Sequence, residues 1–111
     1  MTNELHKSCI AACLRCAQSC EACAQACLVE DDVKLMAECI RLDMDCAQIC
    51  WSATAFMSRG SRFVAELCQA CAVVCEACAT ECRKHTRDHC QKCAEECENC
   101  AQECHQTAEL V

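Results

Sequence analysis

The 111-residue chain holds nineteen cysteines, eighteen alanines, one glycine and no proline, and its formal charge is −7. That length makes one domain, residues 1–111, and the scarcity of helix breakers makes it helical; an acidic balance with three aromatic residues and no Lys/Arg cluster excludes a nucleic-acid-binding surface. No run approaches the ~18 apolar residues of a membrane span, and the start MTNELHKSC lacks the charged and apolar regions of an export signal, so a cytoplasmic chain without a membrane partner is expected.

The first helix is expected over about 4–29, with Thr2 or Asn3 as its N-cap, and it carries Cys9, Cys13, Cys16, Cys20, Cys23 and Cys27. Their alternating steps of four and three mark one face of an α-helix, the face that in an ordinary bundle carries leucine. Glu30-Asp31-Asp32 breaks the pattern, and either aspartate can cap a second helix over about 33–57. The stripe of this helix is mixed: Met36, Cys39, Asp43, Cys46, Cys50, Ala53 and Met57. Leu42, Ile49 and Phe56 form a second apolar face, which either packs against neighbouring helices or makes a subunit contact. Ser58-Arg59-Gly60-Ser61 is the clearest punctuation, with Gly60 as a C′ residue and Ser61 as the next N-cap.

The third helix, about 62–84, carries Cys68, Cys71, Cys75, Cys78 and Cys82. The fourth, about 87–107 with Thr86 as its cap, carries Cys90, Cys93, Cys97, Cys100 and Cys104. Similar lengths and short connections predict an all-α fold, an antiparallel up-down-up-down four-helix bundle.

The fourth helix decides which way the thiols point. From Cys90 to Cys104 it has no aliphatic residue larger than Ala94 and Ala101, so the cysteine stripe is the only face that burial can use. Free cysteine is a small hydrophobe and one or two would need no further explanation. Three whole stripes without leucine would leave a poorly filled core if packing were their only role. Disulfides are opposed by geometry: packed helix axes lie ~8 to 10 Å apart, whereas a disulfide wants Cα atoms ~4.4 to 6.8 Å apart.

Thiolates in such number select soft or borderline ions. Zinc and iron–sulfur sites favour four ligands, with C-x-x-C steps in turns that wrap the centre, but the six such steps here lie within continuous helices. Eight C-x-x-x-C pairs, each on adjacent helical turns, suit an ion content with two or three sulfurs. Charge favours a monovalent guest, because one Cu(I) per lost thiol proton leaves the interior neutral, whereas four thiolates around each zinc leave it negative. Storage of many Cu(I) ions is therefore the leading reading; a metallothionein-like Zn(II)/Cd(II) buffer is the alternative.

No enzyme is expected. A thiol oxidoreductase needs a thiol of lowered pKa, and only Cys68 and Cys90 lie near helix starts, neither in a βαβ setting. The topology places His6, Met57 and His105 at one mouth of the bundle and Met36, His85 and His89 at the other, as donors that can pass an ion inward. Asp43 stands where the stripe asks for cysteine, and Arg41, a cation from another helix or the metal array could each partner it.

The segments CIRLDMDCAQIC at 39–50, CQACAVVCEACATECRKHTRDHCQKCAEEC at 68–97 and the run from Cys9 to Cys27 resemble the cytosolic branch of the bacterial copper storage proteins, the Csp family. The resemblance covers nearly the whole chain. It implies a homotetramer of four-helix bundles storing Cu(I) on inward-facing thiolates, which would give the Leu42/Ile49/Phe56 face a role between subunits. A copper chaperone or a small thiol is the expected donor or acceptor.

Overall fold

In the computed structural model, which describes residues 6–110, four α-helices run in chain order: α1 (Lys7–Leu28), α2 (Ala37–Arg59), α3 (Val64–Arg83) and α4 (Asp88–Leu110). They form an elongated bundle of 47 × 18 × 18 Å. Each helix packs on its two cyclic neighbours, α1 on α2 and α4, α3 on α2 and α4, while diagonal pairs have no Cα atoms within 8 Å. That square section is the expected up-down-up-down topology, with a central core to which all four helices contribute.

Small side chains set the helix spacing. Besides the cysteines, the buried positions of α1 are Ala12, Ala17 and Ala24, and alanines also hold such positions on α2 (Ala47, Ala53), α3 (Ala72, Ala79) and α4 (Ala94, Ala101). The core thus consists almost wholly of thiols and methyl groups. Leu42 and Ile49 pack half-buried against it, and Phe56 lies under the Arg59 guanidinium at 5.1 Å.

The connections differ from expectation in detail. Thr2 and Asn3 lie outside the described residues. Residues 33–36 form a 3-10 turn before α2, and Asp32, at its N-cap position, makes no side-chain capping bond. Its Oδ1 instead accepts from Arg87 at 3.0 Å, and Arg87 also pairs with Glu30 at 3.5 Å, so one arginine ties the two connections at this end of the bundle. Ser61 acts a step early: its Oγ accepts from the N–H of Phe63, which precedes α3. Before α4, the carbonyl of Arg87 rather than Thr86 receives the N–H groups of Cys90 and Gln91. Gln91 then reaches back, its Nε2 donating to the carbonyls of His85 (2.7 Å) and Arg83 (3.3 Å) where α3 ends.

Gly60 ends α2 as the sequence suggests, in the left-handed region at φ 67° and ψ 39°. Its N–H donates to the Met57 carbonyl and that of Ser61 to the Phe56 carbonyl, the paired bonds of a Schellman cap. A Cβ there is disfavoured by roughly 1 kcal/mol. Gly60→Ala is therefore expected to lower the stability of the reduced, metal-free protein by about 1 kcal/mol, read as a lower urea midpoint with an unchanged slope.

Candidate metal centre

All nineteen cysteines are free and buried, none more than 1% exposed. Their sulfurs touch along the bundle axis. From the mouth where α1 begins, Cys9 lies 3.7 Å from Cys104, Cys104 3.8 Å from Cys13, Cys13 3.6 Å from Cys100 and Cys100 3.8 Å from Cys50. The path continues through Cys75 (3.8 Å), Cys46 (3.5 Å), Cys97 (3.9 Å), Cys20 (3.7 Å) and Cys93 (3.7 Å). These are van der Waals and weak hydrogen-bond separations, far beyond a disulfide length.

Groups of four sulfurs lie mutually within 4.8 Å: Cys13/Cys71/Cys100/Cys104, Cys16/Cys46/Cys50/Cys75, Cys16/Cys20/Cys46/Cys97, Cys20/Cys78/Cys93/Cys97 and Cys23/Cys27/Cys39/Cys90. The groups overlap, since Cys16 and Cys46 belong to two of them, as do Cys20 and Cys97. A sulfur shared between neighbouring groups can bridge two ions, so the interior is a connected array rather than a row of isolated tetrahedra. Near the His89 mouth of the metal-free protein, burial pushes Cys90 up to about 11 and Cys27 higher still, while hydrogen bonds from Cys23 and Cys82 pull Cys39 down to about 3. An arriving cation must displace the protons of the raised thiols.

Among the described residues Asp43 is the one carboxylate in the core, 0% exposed. The cations considered for it are elsewhere occupied or absent: Arg41 pairs with Glu38 at 3.3 Å. Four thiols donate to it instead, Cys78 (3.2 Å), Cys93 (3.4 Å) and Cys82 (3.6 Å) to Oδ1 and Cys39 (3.8 Å) to Oδ2. It joins the run ending at Cys93 to the cysteines of the far mouth, where Cys39 lies 3.6 Å from Cys82. Desolvation pushes its carboxyl up to about 8.

The mouths are unequal. His89 Nδ1 stands 3.4 Å from Cys23 Sγ and 3.6 Å from Cys90 Sγ, and its Nε2 is held by Glu30 at 2.9 Å. A carboxylate on one ring nitrogen fixes the orientation of the other, the arrangement by which proteins present a histidine to a metal. His85 is part-buried and bonded through Nε2 to Glu81 at 3.0 Å. Met36 is buried near this end, as are His6 and Met57 at the other. His6 Nδ1 is sealed from solvent without a hydrogen-bond partner among the described residues. His105 is not at the mouth: it lies half-exposed on the outer surface, where Nε2 meets Glu76 at 2.9 Å.

Glu30 and Glu81 were not singled out from the sequence. Glu30 reads there only as part of a helix break, and its meeting with His89 depends on the packing of a connection against the first turn of α4, 59 residues away.

The family model for copper storage protein matches residues 2–109. Among solved structures, the chain is 44% identical to the Cu(I)-bound copper storage protein BsCsp3, covering 97% of this chain and 99% of that one, with a TM-score of 0.89. It is likewise 44% identical to a cytosolic copper storage protein from Streptomyces lividans carrying five coppers, covering 97% and 95% of the two chains with a TM-score of 0.93. The Streptomyces lividans protein loaded with 10 copper equivalents gives the same identity and TM-score, with 97% and 86% covered. No curated protein matches.

Asp43 makes the metal-free protein sensitive to alkali. Its ordinary value is 3.8 and its folded value about 8, so between them the folded state holds a proton that the unfolded state lacks. Stability from this group is full below pH 3.8 and is lost as pH rises through about 8. Asp43→Asn is expected to remove a slope of up to about 1.4 kcal/mol per pH unit, measured as the difference between the two proteins in reducing denaturant titrations at pH 5 and pH 8.

Proposed function

The chain belongs to the copper storage protein family, and from that premise we propose that its nineteen thiols hold the cargo, many Cu(I) ions kept as a reserve and away from targets that free copper would damage. The observation that carries this reading is the sealed sulfur array, in which contacting sulfurs stand 3.5 to 4.0 Å apart and overlapping groups of four lie within 4.8 Å. Each Cu(I) replaces one thiol proton, so the apolar interior fills without gaining net charge. Isolated zinc tetrathiolates would each leave two negative charges in the core. Shared sulfurs also favour ions that accept two or three ligands each over ions that demand four of their own.

The donors outside the thiol set divide by position. His89 is a ligand at its mouth, held by Glu30, and His85 stands beside it. His6, Met36 and Met57 are end-of-array donors, and Asp43 joins the array from within. His105 serves the outer surface. Burial of every thiol, at most 1% exposed, supports holding ions rather than turning over a substrate.

A cytoplasmic location accords with this chemistry, because reduced thiols are needed, and among the described residues no helix is long and apolar enough to cross a membrane. Assembly into a homotetramer is supported by Met44 and Trp51, seven residues apart on α2 and still exposed. Four chains per particle are expected in light scattering.

Anaerobic titration of the reduced protein tests the main reading. Cu(I) is expected to load to roughly ten or more ions per chain, whereas Zn(II) should stop near a quarter of the thiol count, about five. Uptake of only one or two Cu(I) would overturn it. Loading should also raise Tm by tens of degrees, because each tightly held ion adds its binding energy to folding and about 1 kcal/mol moves a domain of this size by roughly 4–8 °C.

A further inference from the structure

Two grooves flank α4, and they differ in charge and in what they reach. One, of about 640 Å³ between α3 and α4, is lined by Glu76, Glu98 and Glu109 against Arg83 and His105, and contains no cysteine. The other, of about 490 Å³ between α1 and α4, is lined by Arg15, Ser19, Cys23, His89, Lys92 and Glu96. Its volume is that of a small-molecule site.

Cys23 forms part of this second groove's wall, and its sulfur is already in the array, 4.0 Å from Cys27 and 3.9 Å from Cys90. An ion delivered there has crossed from outside to inside in one ligand exchange. Arg15 and Lys92 outnumber Glu96, which lies 3.5 Å from Arg15, while His89 is held through Nε2 by Glu30. On a chain of formal charge −7, a groove with a surplus of cations draws in an anion that most of the surface repels.

We propose that this groove docks a low-molecular-weight thiol that bears carboxylates and carries Cu(I), and that Cys23 is the first acceptor. This rests on the storage reading above. The donor's carboxylates sit on Arg15 and Lys92 with its sulfur towards Cys23. The bond between copper and the donor sulfur breaks as the bond to Cys23 Sγ forms, and the Cys23 proton leaves on the departing donor thiol. Copper stays Cu(I) throughout, so no oxidant or reductant is required. The same contacts serve the reverse step, withdrawal of copper from the array.

Anaerobic stopped-flow loading tests it with two donors, Cu(I) bound by glutathione, which is anionic, and Cu(I) bound by β-mercaptoethanol, which is uncharged. Arg15→Glu/Lys92→Glu is expected to slow loading from the glutathione complex by about tenfold and leave the uncharged donor's rate unchanged. In the unaltered protein the glutathione rate should fall as salt rises. Arg41→Glu/Arg59→Glu, which makes the same change in net charge on α2, should leave the ratio of the two donors' rates as it is. Final capacity, read at equilibrium, reports on storage separately and should match in all three proteins. Equal slowing of both donors, no slowing of either, or an equal effect from the α2 variant would overturn the groove assignment while leaving storage intact.

Discussion

Sulfur touching sulfur in a sealed, uncharged interior is the constraint on which the rest of this molecule depends. Thiols at 3.5 to 4.0 Å are comfortable while protonated, and burial favours that form, as at Cys27 and Cys90, while hydrogen bonds from neighbouring thiols pull others such as Cys39 the opposite way. Ionised without a counter-charge, the same groups would repel one another in a medium that cannot screen them. The interior therefore has two acceptable fillings, protons or soft monovalent cations. Exchange between the two leaves its charge unchanged.

The backbone permits this because it asks little of the core. Thiols and alanine methyls bring the helices together without the interlocking volumes of leucine and phenylalanine, and the helices themselves are good formers without proline. Polar ties at the ends do part of what a bulky core would do. Arg87 binds Glu30 and Asp32, Gln91 satisfies two carbonyls where α3 ends, and Gly60 turns the chain between α2 and α3. These ties sit outside the thiol array, so the frame is held by groups that need not change as the contents do.

Much of this could be read from the order of residues. The inward direction of the stripes followed from α4 alone, where cysteine is the only extended face available for burial, and the topology followed from four similar lengths with short connections. Gly60 was legible because one glycine in a helix-rich chain has few other uses. What escaped was set by meetings between distant segments. A period of three and four places Asp43 on the stripe, but cannot say that the groups around it are Cys39, Cys78, Cys82 and Cys93 rather than a cation. Nor does it show that His105 turns outward to Glu76, because position 105 follows Cys104 by one residue, about 100° around the helix, and neither face is excluded by polarity alone.

The unequal mouths give the array a direction. At one, an imidazole nitrogen faces two sulfurs and is aimed by a carboxylate, with a cationic groove beside it that shares Cys23 and His89. At the other, His6 is buried with Nδ1 unpartnered among the described residues and Met57 is wholly buried. Beside His89, Cys23 has Cys27 and Cys90 within 4.0 Å and Cys39 in the same group of four, and beyond Cys93 each step along the axis exchanges like ligand for like. Such a path has no deep intermediate stop until its far end, which suits filling inward from one mouth. Asp43, between the entrance cysteines and the inner run, is the one point where that sequence of equal steps changes character.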